Sequence, residues 1–182
     1  MIKRLNKKGV SAIVETVILV ALVVGLTAIV WLVVNNMVND ELKGAKSCFG
    51  NFDKVTINNR YTCQDTTLKY ANVSISVGDI NVTEIVVSVL GAGEQKSFRL
   101  NGEDSYEYIK NFADKVEDAS YNKALKLPGN NEGKTYTIKL GTGEGTIEME
   151  SIDSIKIAPV IGEEQCDVSD TIYSIDNCKS LI

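Results

Sequence analysis

The sequence predicts an α+β protein: a long N-terminal hydrophobic helix followed by a mainly antiparallel, β-sandwich-like head domain. Residues 10–34 contain no Lys, Arg, Asp or Pro and a single charge, Glu15. Beyond residue 50, apolar side chains recur at every second position, the period of half-buried strands. Of 182 residues, about 148 lie after the apolar run, enough for one domain with its own core. The expected division is a charged leader over 1–9, a helix over 10–45 and a β-rich external head over 46–182.

Charge is unevenly spread. Lys3, Arg4, Lys7 and Lys8 stand among the first nine residues with no acid between them. The net charge is −5, so the remaining chain carries 15 basic against 24 acidic side chains, a net of −9. Such a surface repels phosphate backbones, and no basic patch follows the apolar run. Nucleic acid is not an expected partner. The chain has no histidine, the commonest general base and metal ligand. With no recognisable carboxylate pair either, no catalytic residue, metal or cofactor is expected; an anchored extracytoplasmic enzyme would need convergent carboxylates.

The 25 residues from Val10 to Val34 span about 37 Å as a helix, against a hydrocarbon core of roughly 30 Å. The run is apolar on every side, which suits a membrane-spanning helix rather than a surface one. Lipid forces its backbone hydrogen bonds to be made internally, overriding its β-branched content. Four basic residues before it, and none behind until Lys43, put the N-terminus in the cytoplasm and the head outside. A secretory signal has a shorter core and a small-residue cleavage site after it; Asn35-Asn36-Met37-Val38-Asn39 offers none. An uncleaved signal-anchor explains the topology, but neither Gly9 directly after Lys7-Lys8 nor Glu15 within the apolar run. A carboxylate costs about 2.5–3.5 kcal/mol at the centre of a spanning helix and less near the interface, so a partner for Glu15 is expected.

Lys7-Lys8-Gly9, then Val10-Ser11-Ala12-Ile13-Val14-Glu15 and a long apolar helix, resembles the class III signal peptide of type IV pilin-like proteins. The resemblance covers residues 3–38, about a fifth of the chain. It implies cleavage between Gly9 and Val10 by a membrane-embedded prepilin peptidase, with Lys7 and Lys8 as recognition charges. Bacterial members usually have phenylalanine first and glutamate fifth after the cut. Here Val10 is first and Glu15 sixth, and the Gly-Val-Ser start is more similar to archaeal adhesion pilins and archaellins. The resemblance implies further partners: other copies of the chain in a homopolymeric surface filament for adhesion or motility, and an ATP-driven pilus or archaellum assembly platform. Glu15 is then a candidate to meet the new Val10 amine of a neighbouring subunit. Four leader charges tie the precursor to the cytoplasmic face. Their removal frees an apolar helix to bundle with identical ones and hide from water. The alternative is an uncleaved, single-pass anchor carrying an extracellular binding or adhesion module.

After Asn35 the helix is expected to run two or three turns further, through Met37, Val38 and Leu42, and to break at Gly44 and Ser47-Cys48-Phe49-Gly50-Asn51. Strands are expected at Val73/Ile75/Val77, Ile85/Val87/Val89, Phe98/Leu100, Tyr136/Ile138/Leu140, Ile147/Met149 and Ile155/Ile157. Turns are expected at Gly91-Ala92-Gly93, Asn101-Gly102 and Gly141-Thr142-Gly143-Glu144-Gly145; the last lacks the Lys-Ser/Thr ending of a phosphate loop. Asp104–Ala119 places Ile109, Phe112, Ala113 and Val116 at helical spacing, predicting a short helix. Asn122–Lys134 reads as a surface loop.

Cys48, Cys63, Cys166 and Cys178 in an external domain read as two disulfides with three possible connectivities. Local pairing, 48 with 63 and 166 with 178, is expected because each pair brackets one short loop. Without Cys-x-x-Cys or histidine, a metal site is disfavoured. Asn72-Val73-Ser74 and Asn81-Val82-Thr83 fit the N-glycosylation pattern, although the tripeptide is common by chance. Asp167, Asp170 and Asp176 lack EF-hand spacing. The seven tyrosines are expected at the rim of the core, with exposed ones available for adhesion.

Overall fold

Lys7–Cys48 forms a single helix, α1, in the computed structural model of the chain. The structure describes residues 7–51, 53–112 and 120–178, with the helix side chains described at 13–39 and at Cys48. Residues 1–6 of the leader lie outside the described residues. Two compact units are present, Met1–Ala45 and Lys46–Ile182. The helix does not break at Gly44: an isolated glycine costs about 1 kcal/mol, which one position does not turn into a terminus. It ends after Cys48, where Gly50 takes φ +83°, the left-handed geometry that closes helices.

The second unit holds ten strands among the described residues: β1 (Val55–Ile57), β2 (Cys63–Asp65), β3 (Tyr70–Val77), β4 (Glu84–Gly91), β5 (Glu94–Leu100), β6 (Ile109–Asn111), β7 (Glu132–Lys139), β8 (Ser154–Ile161), β9 (Glu164–Gln165) and β10 (Asp170–Tyr173). One sheet runs β1-β3-β7-β6 with β2 also on β3; the other runs β10-β8-β4-β5 with β9 on β8. All ten strands pair antiparallel. The α+β class with a sandwich-like head is therefore the observed one. Alternation decides the faces: Val73, Ile75 and Val77 of β3 share one buried core with Ile85, Val87 and Val89 of β4, Phe98 and Leu100 of β5, Tyr136 and Ile138 of β7, and Ile155 and Ile157 of β8. The two-residue β4–β5 hairpin turns through Ala92 at φ 51° and Gly93 at φ 83°, the double left-handed geometry that matches strand twist.

The edge strand β1 is finished by side chains from the other sheet. Asp170 Oδ2 accepts from Ile57 N at 2.8 Å and Ser169 Oγ donates to Val55 O at 2.9 Å, so its spare backbone groups are not left open for edge-to-edge pairing.

Several expectations are corrected. Residues 104–112 are not helical: a turn leads into β6, where Ile109 is buried and Phe112 just beyond it is 60% exposed. Helical spacing arose by chance, because so short a strand carries too few positions to show alternation; residues 113–119, with Ala113 and Val116, lie outside the described residues. Ile147 and Met149 are buried but form no strand: Ile147 N donates to Lys139 O at the end of β7 at 3.0 Å, and Met149 makes only an isolated bridge to Gly141. Gly141–Gly145 therefore does not join two strands. The loop expected over 122–134 ends at Asn131, where β7 follows, and it drives Leu125 fully into the core. Asn111 holds that loop, donating from Nδ2 to Ala124 O and accepting Lys126 N at Oδ1, both at 2.9 Å.

The disulfides are also not local. Cys48 joins Cys166, and Cys63 joins Cys178, with Cα separations of 5.4 and 4.9 Å. Strand β1 lies between Cys48 and Cys63 and pairs with β3; β10 lies between Cys166 and Cys178 and pairs with β8. The sheets, not the short loops, thus choose each cysteine's neighbour. Gln64 N donates to Asp176 O at 2.8 Å and Gln64 bridges in parallel to Asn177, which lays Cys178 beside Cys63.

Tyr136 is fully buried and its hydroxyl donates to Lys126 O at 2.6 Å. Burial pushes its phenol well above the usual tyrosine range, so it remains a donor at any physiological pH. Tyr136→Phe is expected to cost about 1 kcal/mol, read as a lower denaturant midpoint with unchanged slope.

Candidate functional site

Two surfaces stand out, one on each unit. From Ile13 to Asn39, α1 is long and apolar enough to cross a membrane, and none of that span is buried. Its large side chains are between 46% exposed at Val34 and 70% at Trp31, so the apolar face is uncovered on all sides. The few polar groups are handled within the helix: Thr16 Oγ1 donates to Ile13 O and Thr27 Oγ1 to Val24 O, each at 2.9 Å, the local bonding that lets hydroxyls sit in apolar surroundings. Glu15 has no such partner among the described residues. Lys7, Lys8, Gly9 and Val10 fall in the first turn of α1.

The second surface is a groove of about 510 Å³ on the solvent side of the β1-β3-β7-β6 sheet, within the roughly 300–1,000 Å³ of ligand sites. Strand register builds its floor. Asn72 of β3 lies opposite Thr137 of β7, which lies opposite Lys110 of β6; one row on, Tyr70 faces Lys139. Leu68, Phe112 and Tyr121 form the rim with Lys69 and Asn111. Thr137 Oγ1 donates to Asn72 Oδ1 at 2.9 Å, which leaves the Asn72 amide hydrogens unused. The Lys110 ammonium sits 5.0 Å from the centre of the Tyr121 ring, a cation–π contact, and burial raises the Tyr121 phenol above its ordinary value. Lys69 pairs with Glu150, whereas Lys139 is exposed and has no ion-pair partner among the described residues. Among the described residues no carboxylate lines the groove.

The two glycosylation patterns sit differently. Asn72 is half-buried mid-sheet and Ser74 is 5% exposed. Asn81 is exposed in the β3–β4 connection, with Thr83 Oγ1 donating to Val160 O and Gly162 O. Among the described residues no three of Cys, Asp and Glu cluster as metal ligands. Asp170 serves the β1 edge, while Asp167 and Asp176 belong to the loops on either side of β10. Of the tyrosines, Tyr61 and Tyr173 are exposed, whereas Tyr106 and Tyr108 pack on the core with Tyr106 edge-on to Phe98. The groove was not foreseen, since Tyr70, Lys110 and Lys139 are far apart in sequence and only register unites them. No protein-family model, curated protein or solved structure matches the chain.

Proposed function

We propose that the chain is the precursor of a type IV pilin-like structural subunit of the archaeal pilin or archaellin style, not an enzyme. A prepilin peptidase removes residues 1–9 after Gly9, using Lys7 and Lys8. The freed helix then polymerises with further copies, through an ATP-driven assembly platform, into a cell-surface filament for adhesion or motility. The observation that carries this reading is the uncovered apolar surface of residues 13–39, directly after a Lys-Lys-Gly-Val junction. Lipid covers that surface before assembly, with the N-terminus cytoplasmic and the head outside; identical helices cover it afterwards. Glu15, without a partner among the described residues, is free to meet the Val10 amine of a neighbouring subunit. Asn81 rather than Asn72 is the favoured glycan acceptor, because a transferase reaches an exposed loop more readily than a paired central strand.

The test is the mature N-terminus of surface material, read by mass spectrometry. A start at Val10 is expected, and Gly9→Leu should leave residues 1–9 in place and abolish filaments. A surface protein that still begins at Met1 would instead favour the single-pass anchored binding module, for which the groove on the head offers a site.

A further inference from the structure

We infer that the groove on the β1-β3-β7-β6 sheet binds an acidic saccharide, a pyranose unit carrying a carboxylate. Saccharide rings present an apolar C–H face and a fringe of hydroxyls, so their sites combine exposed aromatic planes with short polar side chains. Phe112, 60% exposed, and Tyr70 supply the planes. The unused amide hydrogens of Asn72 supply donors to hydroxyls, and the Thr137 oxygen can still accept from them.

Charge selects the acid. The chain is acidic overall, at −5, yet this groove gathers Lys69, Lys110 and Lys139 with no lining carboxylate among the described residues. Glu150 already compensates Lys69, and the Tyr121 ring positions Lys110. Lys139 has no ion-pair partner among the described residues, so a ligand carboxylate gains a charge-assisted bond without displacing an existing one. The site is unlike a phosphate cradle, as among the described residues no arginine and no helix N-terminus lines it. The groove's chemistry is independent of whether α1 polymerises.

The full-length chain in detergent micelles is titrated by calorimetry with oligogalacturonate, oligomannuronate and hyaluronan oligomers, and with the methyl ester of each. At least one acid is expected to bind, its ester about tenfold more weakly, and added salt should weaken the acid alone. Lys139→Gln and Lys110→Gln should each reduce affinity about fivefold. Lys156→Gln, which removes the same charge from an exposed position on β8, should leave it unchanged. Failure of every acid to bind, equal binding of acid and ester, or an equal loss from Lys156→Gln would overturn the proposal. Retained binding by a chain whose leader is never cut would leave it standing while sinking the assembly reading.

Discussion

Removing both disulfides is expected to unfold the head, and by more than the two single removals add up to. On chain-entropy grounds a ring of 118 residues, the Cys48–Cys166 separation, contributes about 5 kcal/mol. Once it is closed, the route from Cys63 to Cys178 runs back to Cys48, across the bridge and on from Cys166. The second bridge therefore closes a residual ring of only about 27 residues, contributing about 3.5 kcal/mol. Either pair replaced by alanine should cost that smaller amount, and both together about 8 kcal/mol, leaving a coupling of about 1 kcal/mol. A total of that size rivals the whole stability of an ordinary domain. Two separate local loops would have given additive losses instead. Guanidinium titration of the full chain in micelles, followed by tyrosine fluorescence, measures this directly. The single tryptophan, Trp31, lies in the helix, whereas all seven tyrosines lie beyond residue 60 and report the head.

Gly91→Ala should be the most damaging single methyl in the head. A Cβ at Gly91 would stand 2.0 Å from the backbone oxygen of Ser151, and backbone cannot rotate away as a flexible side chain can. The approach is fixed from both directions: Asp153 N donates to Leu90 O at 2.7 Å, and Ala92 N donates to Asp153 Oδ2 at 3.1 Å. Separating these segments costs about 3 kcal/mol, or roughly 10 °C of melting temperature for a domain of this size. Gly93, with φ +83° but open space around it, should cost only about 1 kcal/mol on the same substitution, through backbone strain alone. A larger loss at Gly93 than at Gly91 would refute the close-contact account.

Long strands with one buried face were legible because alternation over seven or eight residues is a strong signal; Val73, Ile75 and Val77, like Ile85, Val87 and Val89, could hardly sit otherwise. Three- and four-residue strands were not. In β10 the side chains of Asp170, Thr171 and Ile172 are all half-buried, so no alternation marks it, and in β6 only Ile109 and Asn111 point inward. The apolar helix was readable from composition alone, and its last turn was missed because one glycine does not end a helix that has residues to continue it. Cysteine partners and the groove share one reason for being hidden: both depend on which strands become neighbours, a property of the finished sheets. The methylene-level closeness behind Gly91 is invisible for the same reason, since Ser151 lies 60 residues away.

The crossed bridges also decide what a protease can do to this molecule. Cys48 and Cys63 precede, and Cys166 and Cys178 follow, every peptide bond from Gln64 to Gln165. A single nick anywhere in that interval, including the exposed Thr142–Glu144 connection, yields two fragments that remain doubly fastened. The molecule keeps its mass on a non-reducing gel and falls into two bands only when reduced. Outside a cell, where thiols stay oxidised, a clipped copy is held together rather than shed.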